Sequence, residues 1–292
     1  MNLQELRRHK PQILSLAASL SAILSLAACA QPSTLSAPAV TPAELAAEQN
    51  AQENYLKDEK AKGLVHLAYN TKPVANRLDA VARRIAPAAV ALCRELALYP
   101  DPRDCAYGIH ASKGRDAEGN SKINASADGK AVYINTGMVR FTKDDNELAY
   151  IIGHEFAHNI MKHIDAQKQN AMAGAFLGAL ADGIAARYGA YSKKDSFTAA
   201  GAESGILAYS PAFEQEADYI GLYLTARAGY DYHRVPDVWR RMSLFDREFI
   251  YYTSTHPSNA ERFVLMRKFI AEIDAKKAAK APLFPEFKQA KK

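Results

Sequence analysis

Apolar residues follow two different rhythms along this chain. Leu78, Val81, Ala82, Ile85, Ala89, Leu92 and Leu96 recur at helical spacing and predict a helix with one buried face, kinked at Pro87. Ile123, the Asp128-Gly129 turn, Val132, Ile134 and Val139 then predict short strands or a hairpin. The helical rhythm returns after Asp144, which stands three residues before Glu147 in a capping-box-like start, and Leu148, Ile151, Ile152 and Phe156 supply a buried stripe. The predicted order is helix, small sheet, helix and then more helices, a mostly helical α+β fold.

The two ends depart from this pattern. Arg7, Arg8 and Lys10 precede an apolar run from Ile13 to Ala30, which reads as a secretory signal over residues 1–28. The small residues before Cys29 resemble the lipobox of bacterial lipoproteins, so Cys29 is the expected lipidation site and Ala30 favours sorting to the outer membrane. A transmembrane anchor or a plain signal peptide is the alternative, since the run is just long enough to cross a bilayer. Residues 29–62 have no sizeable apolar face and are expected to form a tether. Residues 63–275 have the length of one domain, and residues 276–292 form a basic C-terminal tail.

Charge narrows the partners. Of the formal net charge of +5, residues 1–28 carry +2 and the tail carries +5, which leaves −2 for the body. A solvated tail thus accounts for the basic balance, and no nucleic-acid partner is expected. Cys93 and Cys105 remain after Cys29; in an exported chain they are candidates for one disulfide across a short Pro-containing loop, with two separate thiols as the alternative.

The candidate chemistry lies in YIIGHEFAHNIMKH, residues 150–163. Residues four apart on a helix project about 40° apart, one turn along, so His154 and His158 aim two imidazoles at one point. Glu155, on the adjoining side, is placed to act on a water there. This is H-E-x-x-H on a helix, the zinc-hydrolase pattern with glutamate as base. A catalytic zinc site needs a third protein ligand, and Met161 and Ile164 stand where the metzincin continuation requires Gly and His. The segment YSPAFEQEADYIGLYLTARAGYD supplies a carboxylate instead. Glu214 and Asp218 share one face of a second predicted helix, Glu214 as ligand and Asp218 as acceptor for the free N–H of a ligand histidine. Glu216 projects about 200° from Glu214 and is read as a solvated or salt-bridged carboxylate. His163, at the predicted helix end, is read as a structural residue that suits the dipole. His66, His110 and His233 are read as isolated surface or core residues.

H-E-F-A-H followed by E-x-x-A-D and Gly221 resembles the forty-eighth metallopeptidase family, gluzincins that include HtpX-like and CAAX prenyl endopeptidase-type enzymes. The likeness covers roughly residues 64–275 and takes in Asn124-Ala125, the stretch from Asn146 to Ala149, the stretch from Thr255 to Ser258, and Arg262. It implies a zincin-like domain with a small β-sheet beside the H-E-x-x-H helix, one zinc ion per chain, and peptide-bond hydrolysis. The interior run AMAGAFLGALA is too short to span a membrane, so the resemblance is to the soluble periplasmic BepA-like and LoiP-like branch, with no appended tetratricopeptide repeat visible after Arg262.

The remaining expectations concern the cleft. His256, in a Pro-bounded turn, is a candidate donor to the oxyanion or an alternative zinc ligand, and Arg262 is a candidate substrate clamp or an ion-pair partner of a site carboxylate. The strand from Ala131 to Asn135 is a candidate edge for an extended peptide. Residues 166–208, rich in Ala and Gly, suit either a lid or a helical hairpin of small residues. The expected function is a zinc endopeptidase, lipid-anchored on the periplasmic side of the outer membrane, acting on unfolded or misassembled envelope proteins. A chaperone with gated or vestigial proteolysis and a peptidoglycan amidase are the competing readings.

Overall fold

The computed structural model describes residues 35–61, 70, 72–96, 101–115, 119, 121–187, 196–242 and 260–287. The elements are α1 (Pro42–Ala61), α2 (Val74–Leu96), a short 3-10 turn (Pro102–Cys105), β1 (Gly108–Ser112), β2 (Ala125–Ala127), β3 (Ala131–Asn135), α3 (Thr136–Phe141), α4 (Asp145–Ile160), α5 (His163–Arg187), α6 (Phe197–Arg227), α7 (Val235–Met242) and α8 (Ala260–Ala278). The expected α+β class holds: helices dominate, and one three-stranded sheet lies beside the helix that carries His154 and His158. Chain contacts separate residues 165–210 from the unit built of residues 33–164 and 211–292.

In the larger unit the stripe Leu78, Val81, Ile85, Ala89 and Leu92 of α2 is buried. The helix runs unbroken through Pro87, which sits on the exposed side, where water can serve a carbonyl that loses its partner. The sheet has the order β1–β3–β2, with β1 parallel and β2 antiparallel to β3. β3 is therefore the central strand, and the expectation that it offers a peptide-binding edge is corrected: its main-chain groups are engaged on both sides. Val139, expected in a strand, lies in α3. The Asp128-Gly129 turn does join β2 to β3. Asp128 Oδ1 accepts from the main-chain N–H of Lys130 (2.8 Å) and Ala131 (2.7 Å), and Gly129 takes φ +94°, a region that favours glycine.

The start of α4 is built as its sequence predicts. Asp144 accepts from the N–H of Asn146 (2.9 Å) and Glu147 (3.0 Å), while Glu147 reaches back to accept from Lys143 N–H at 2.7 Å. Buried Arg77 of α2 braces the same loop, donating to Thr142 O (3.1 Å), Thr142 Oγ1 (2.9 Å) and Asp145 Oδ1 (2.7 Å), and to Val139 O and Asp144 O. Cys93 of α2 and Cys105 are joined in a disulfide with Cα atoms 5.7 Å apart.

Parts of the expected tether and tail are packed rather than solvated. α1 starts at a reciprocal Thr41–Glu44 cap and lies on α8, where Glu44 meets Lys268 at 2.8 Å. Its Glu48 is buried between Arg240 and Arg267. Leu35, also buried, pairs with Phe287.

The smaller unit is a helical hairpin of α5 against the first part of α6. A Cβ on Gly174 would stand 1.9 Å from Gly201 O, and one on Gly178 would stand 1.9 Å from Phe197 O, so small residues are what let these backbones touch. Asp182 caps α6, accepting from Phe197 N–H (2.8 Å), Thr198 N–H (3.0 Å) and the Thr198 hydroxyl (2.6 Å). No described helix is long and apolar enough to cross a membrane.

Candidate metal centre

α4 and α6 approach each other at two glycines. A Cβ on Gly221 would lie 3.0 Å from His154 N, and one on Gly153 would lie 3.1 Å from Gly221 O. Absence of side chains there lets the helices pack closely, one residue from His154 and three from Asp218. His154 and His158 lie on the α4 face turned toward α6, and Glu214, one helical turn before Asp218, faces them.

Two imidazole nitrogens and both oxygens of one carboxylate converge. His154 Nε2 and His158 Nε2 are 3.2 Å apart, and Glu214 places one oxygen 3.3 Å from the first and its other oxygen 3.4 Å from the second. A tetrahedral ion with bonds of about 2.0–2.1 Å spaces its ligands about 3.3–3.4 Å apart, so the gap between these atoms fits zinc. The surroundings call for positive charge as well. Glu155, Glu214, Glu216 and Asp218 are all buried, and Arg262 is set against Glu214 and Asp218. A divalent cation bound among buried carboxylates stabilises them.

His154, a candidate ligand, has a carboxylate behind its ring. His154 Nδ1 lies 3.1 Å from Asp218 Oδ1. Asp218 is gripped by Arg262 through two contacts of 2.8 Å and accepts from Tyr150 Oη at 2.6 Å; Tyr150 in turn accepts from Trp239 Nε1 at 2.9 Å. Burial alone would raise the Asp218 pKa, but the charge of Arg262 and the hydrogen bonds from His154 and Arg262 hold it below the usual carboxylate range. Burial pulls His158 down to about 4 against the opposing charge of Glu214, so its ring is neutral at pH 7, the form that offers a lone pair. Burial also works against a charged His154, yet Asp218 and Glu214 together outweigh it and leave the ring above its ordinary value.

Not every expected residue lies where the sequence reading put it. Arg262 is buried, bound to Asp218 and 3.3 Å from Glu214, which is the ion-pair arrangement rather than one facing a substrate. Glu216 is buried with Oε2 2.9 Å from His163 Nε2, which is the salt-bridged rather than the solvated alternative. His163 does not end the helix of His154: α4 ends at Ile160, Lys162 turns the chain at φ 58°, and His163 opens α5 with its Nδ1 3.1 Å from His158 Nδ1. His110 is exposed on β1 beside Tyr133, and His233 is partly exposed between two aspartates. Cys29, His66 and His256 lie outside the described residues. The sequence reading missed Tyr150, Trp239 and the His163–Glu216 pair. Tyr150 had a signal, being one turn before His154 on the same face. Trp239, 89 residues from Tyr150, had none.

Comparison with known proteins agrees with this geometry. Residues 103–269 match the peptidase family M48. The beta-barrel assembly-enhancing protease of Yersinia pestis is 30% identical over 42% of this chain and 27% of its own length. The mitochondrial metalloendopeptidase OMA1 is 32% identical in Arabidopsis thaliana, over 46% of this chain and 27% of that protein, and 27% identical in Saccharomyces cerevisiae, over 49% and 41%. The chain thus matches only about a quarter to two-fifths of the length of these relatives. Zinc is the metal that the donor set and this likeness both indicate.

Proposed function

This chain belongs to peptidase family M48, and from that premise we propose that it is a zinc-dependent endopeptidase with His154, His158 and Glu214 as protein ligands and Glu155 as general base. The observation that carries this reading is the convergence of two imidazole nitrogens and a carboxylate at zinc spacing, one residue from a buried glutamate. Zinc, when bound, lowers the pKa of a water and polarises the scissile carbonyl. Glu155 takes a proton from the attacking water and delivers it to the amine as the C–N bond breaks. Asp218 holds the His154 ring, and Arg262 with Tyr150 holds Asp218. His256 is the proposed donor to the developing oxyanion. The outer strand β2, which packs on α4, replaces β3 as the proposed pairing edge for an extended peptide.

The proposed substrates are misfolded or misassembled envelope proteins, a class supported by the name of the Yersinia relative. Anchoring on the periplasmic side of the outer membrane through Cys29 is supported by the signal-like start of the chain. The second reading, a chaperone with gated proteolysis, is favoured by a row of exposed apolar side chains on α5: Met172, Phe176, Leu180 and Ile184.

The two readings separate on incubation of casein or a misfolded outer-membrane protein with the native protein and with Glu155→Gln. The protease reading expects fragments from the native protein alone, with activity lowered about 10²–10⁴-fold in the variant and zinc content unchanged. Equal client binding by both, with no fragments from either, would leave the chaperone.

A further inference from the structure

His158 turns Nε2 toward the proposed ion, and its other nitrogen faces a second imidazole. His158 Nδ1 and His163 Nδ1 are 3.1 Å apart, and His163 Nε2 is 2.9 Å from Glu216 Oε2. All three residues are buried. Phe213 stacks on the His163 ring with centroids 4.5 Å apart and planes 17° from parallel. The backbone is arranged to put that ring there. Lys162, a non-glycine residue, takes φ 58°, so the helical path of α4 is broken before His163 opens α5. Had α4 continued as a regular helix, position 163 would lie about 140° around the axis from His158.

We propose that His163 is a positioning residue of the metal centre: with Glu216 it forms an imidazole–carboxylate relay that holds His158 in the tautomer able to bind zinc. The direction of the relay follows from proton counting, and it rests on the zinc reading above. A His158 ring that gives its Nε2 lone pair to a cation carries its proton on Nδ1. Two Nδ1 atoms in contact share one proton, so His163 must accept there. Its own proton is then on Nε2, facing the Glu216 carboxylate, which accepts it. The reverse direction would put a proton on His158 Nε2 and remove the lone pair from the ion. The two ligand histidines are therefore oriented by different means, His154 by Asp218 directly and His158 through a second ring.

The test measures zinc affinity of the full chain by chelator competition, thermal unfolding of the metal-free protein, and the His158 Nδ1–H resonance of the zinc-loaded protein by NMR. Three variants are compared: His163→Phe, which keeps an aromatic stack on Phe213 and removes the acceptor; Glu216→Gln, which keeps an acceptor and removes the charge; and His158→Ala, which removes a ligand. The expected result for His163→Phe is zinc binding weakened about 10–100-fold, loss of the protected Nδ1–H resonance, and little change in metal-free unfolding temperature. Glu216→Gln is expected to weaken zinc in the same direction by a smaller factor, and it decides the matter if His163→Phe does not fold. If native protein binds zinc and His158→Ala does not, while both relay variants stay within about threefold of native affinity, the relay is overturned and the zinc reading stands. If native protein takes up no zinc, or His158→Ala retains it, the zinc reading falls and the relay falls with it.

Discussion

His233 lies partly in solvent between two carboxylates, with Nδ1 2.8 Å from Asp231 and Nε2 3.0 Å from Asp274. The hydrogen bond to Asp231 is the main cause that lifts its pKa above the ordinary value, and Asp274 adds to it against some burial. A raised folded value means the stabilisation is complete below the unfolded pKa of about 6.5 and is lost as the pH rises through the folded value. His233→Asn is therefore expected to be less stable than native protein by up to about 1 kcal/mol at about pH 5.5, with the gap closing by about pH 9, as read from urea unfolding at each pH. At this scale the candidate ligand pair was legible because His154 and His158 sit one helical turn apart, and that spacing alone fixes a shared direction. Which residue Glu216 meets was not legible. Its partner His163 is 53 residues away, and the helix break at Lys162 is what places that ring beside His158.

At the scale of elements, the centre depends on how closely α4 and α6 approach. Gly153 and Gly221 set that distance, since a side chain on either meets backbone at 3.0–3.1 Å. Gly221→Val is expected to force the helices apart, costing about 1–3 kcal/mol in urea unfolding and weakening zinc binding in chelator competition. Unchanged zinc affinity in the folded variant would show that the glycine contact does not set the ligand spacing. The amphipathic stripe of α2 and the cap of α4 could be read from the chain because period and cap chemistry are local. Strand order could not. The alternation at Val132 and Ile134 shows that a strand exists, but the parallel partner β1, with a non-local register of Gly108 on Ala131, is what makes β3 central. The same limit applies to α1: a segment with no sizeable apolar face looked like a tether, yet it docks through Glu48 and a pair of arginines.

For the whole molecule, the disulfide ties α2 to the 3-10 turn that leads into β1. It closes a short loop, with 12 residues of separation, and its replacement by Cys93→Ser with Cys105→Ser is expected to cost about 2–3 kcal/mol in urea unfolding. Zinc affinity should remain near native, since neither cysteine is among the convergent ligands. The sequence by itself determined which residues can bind a metal, which helices carry them and which face of each is apolar, because helical periodicity, caps and turn residues act over a few positions. Tertiary structure alone decided which carboxylate meets which imidazole, that Arg262 turns onto Asp218, and that the chain flanking the domain folds back upon it. Those contacts join residues tens to hundreds of positions apart, where the outcome is set by the close crossing of two glycines and by the pairing that buried charge requires.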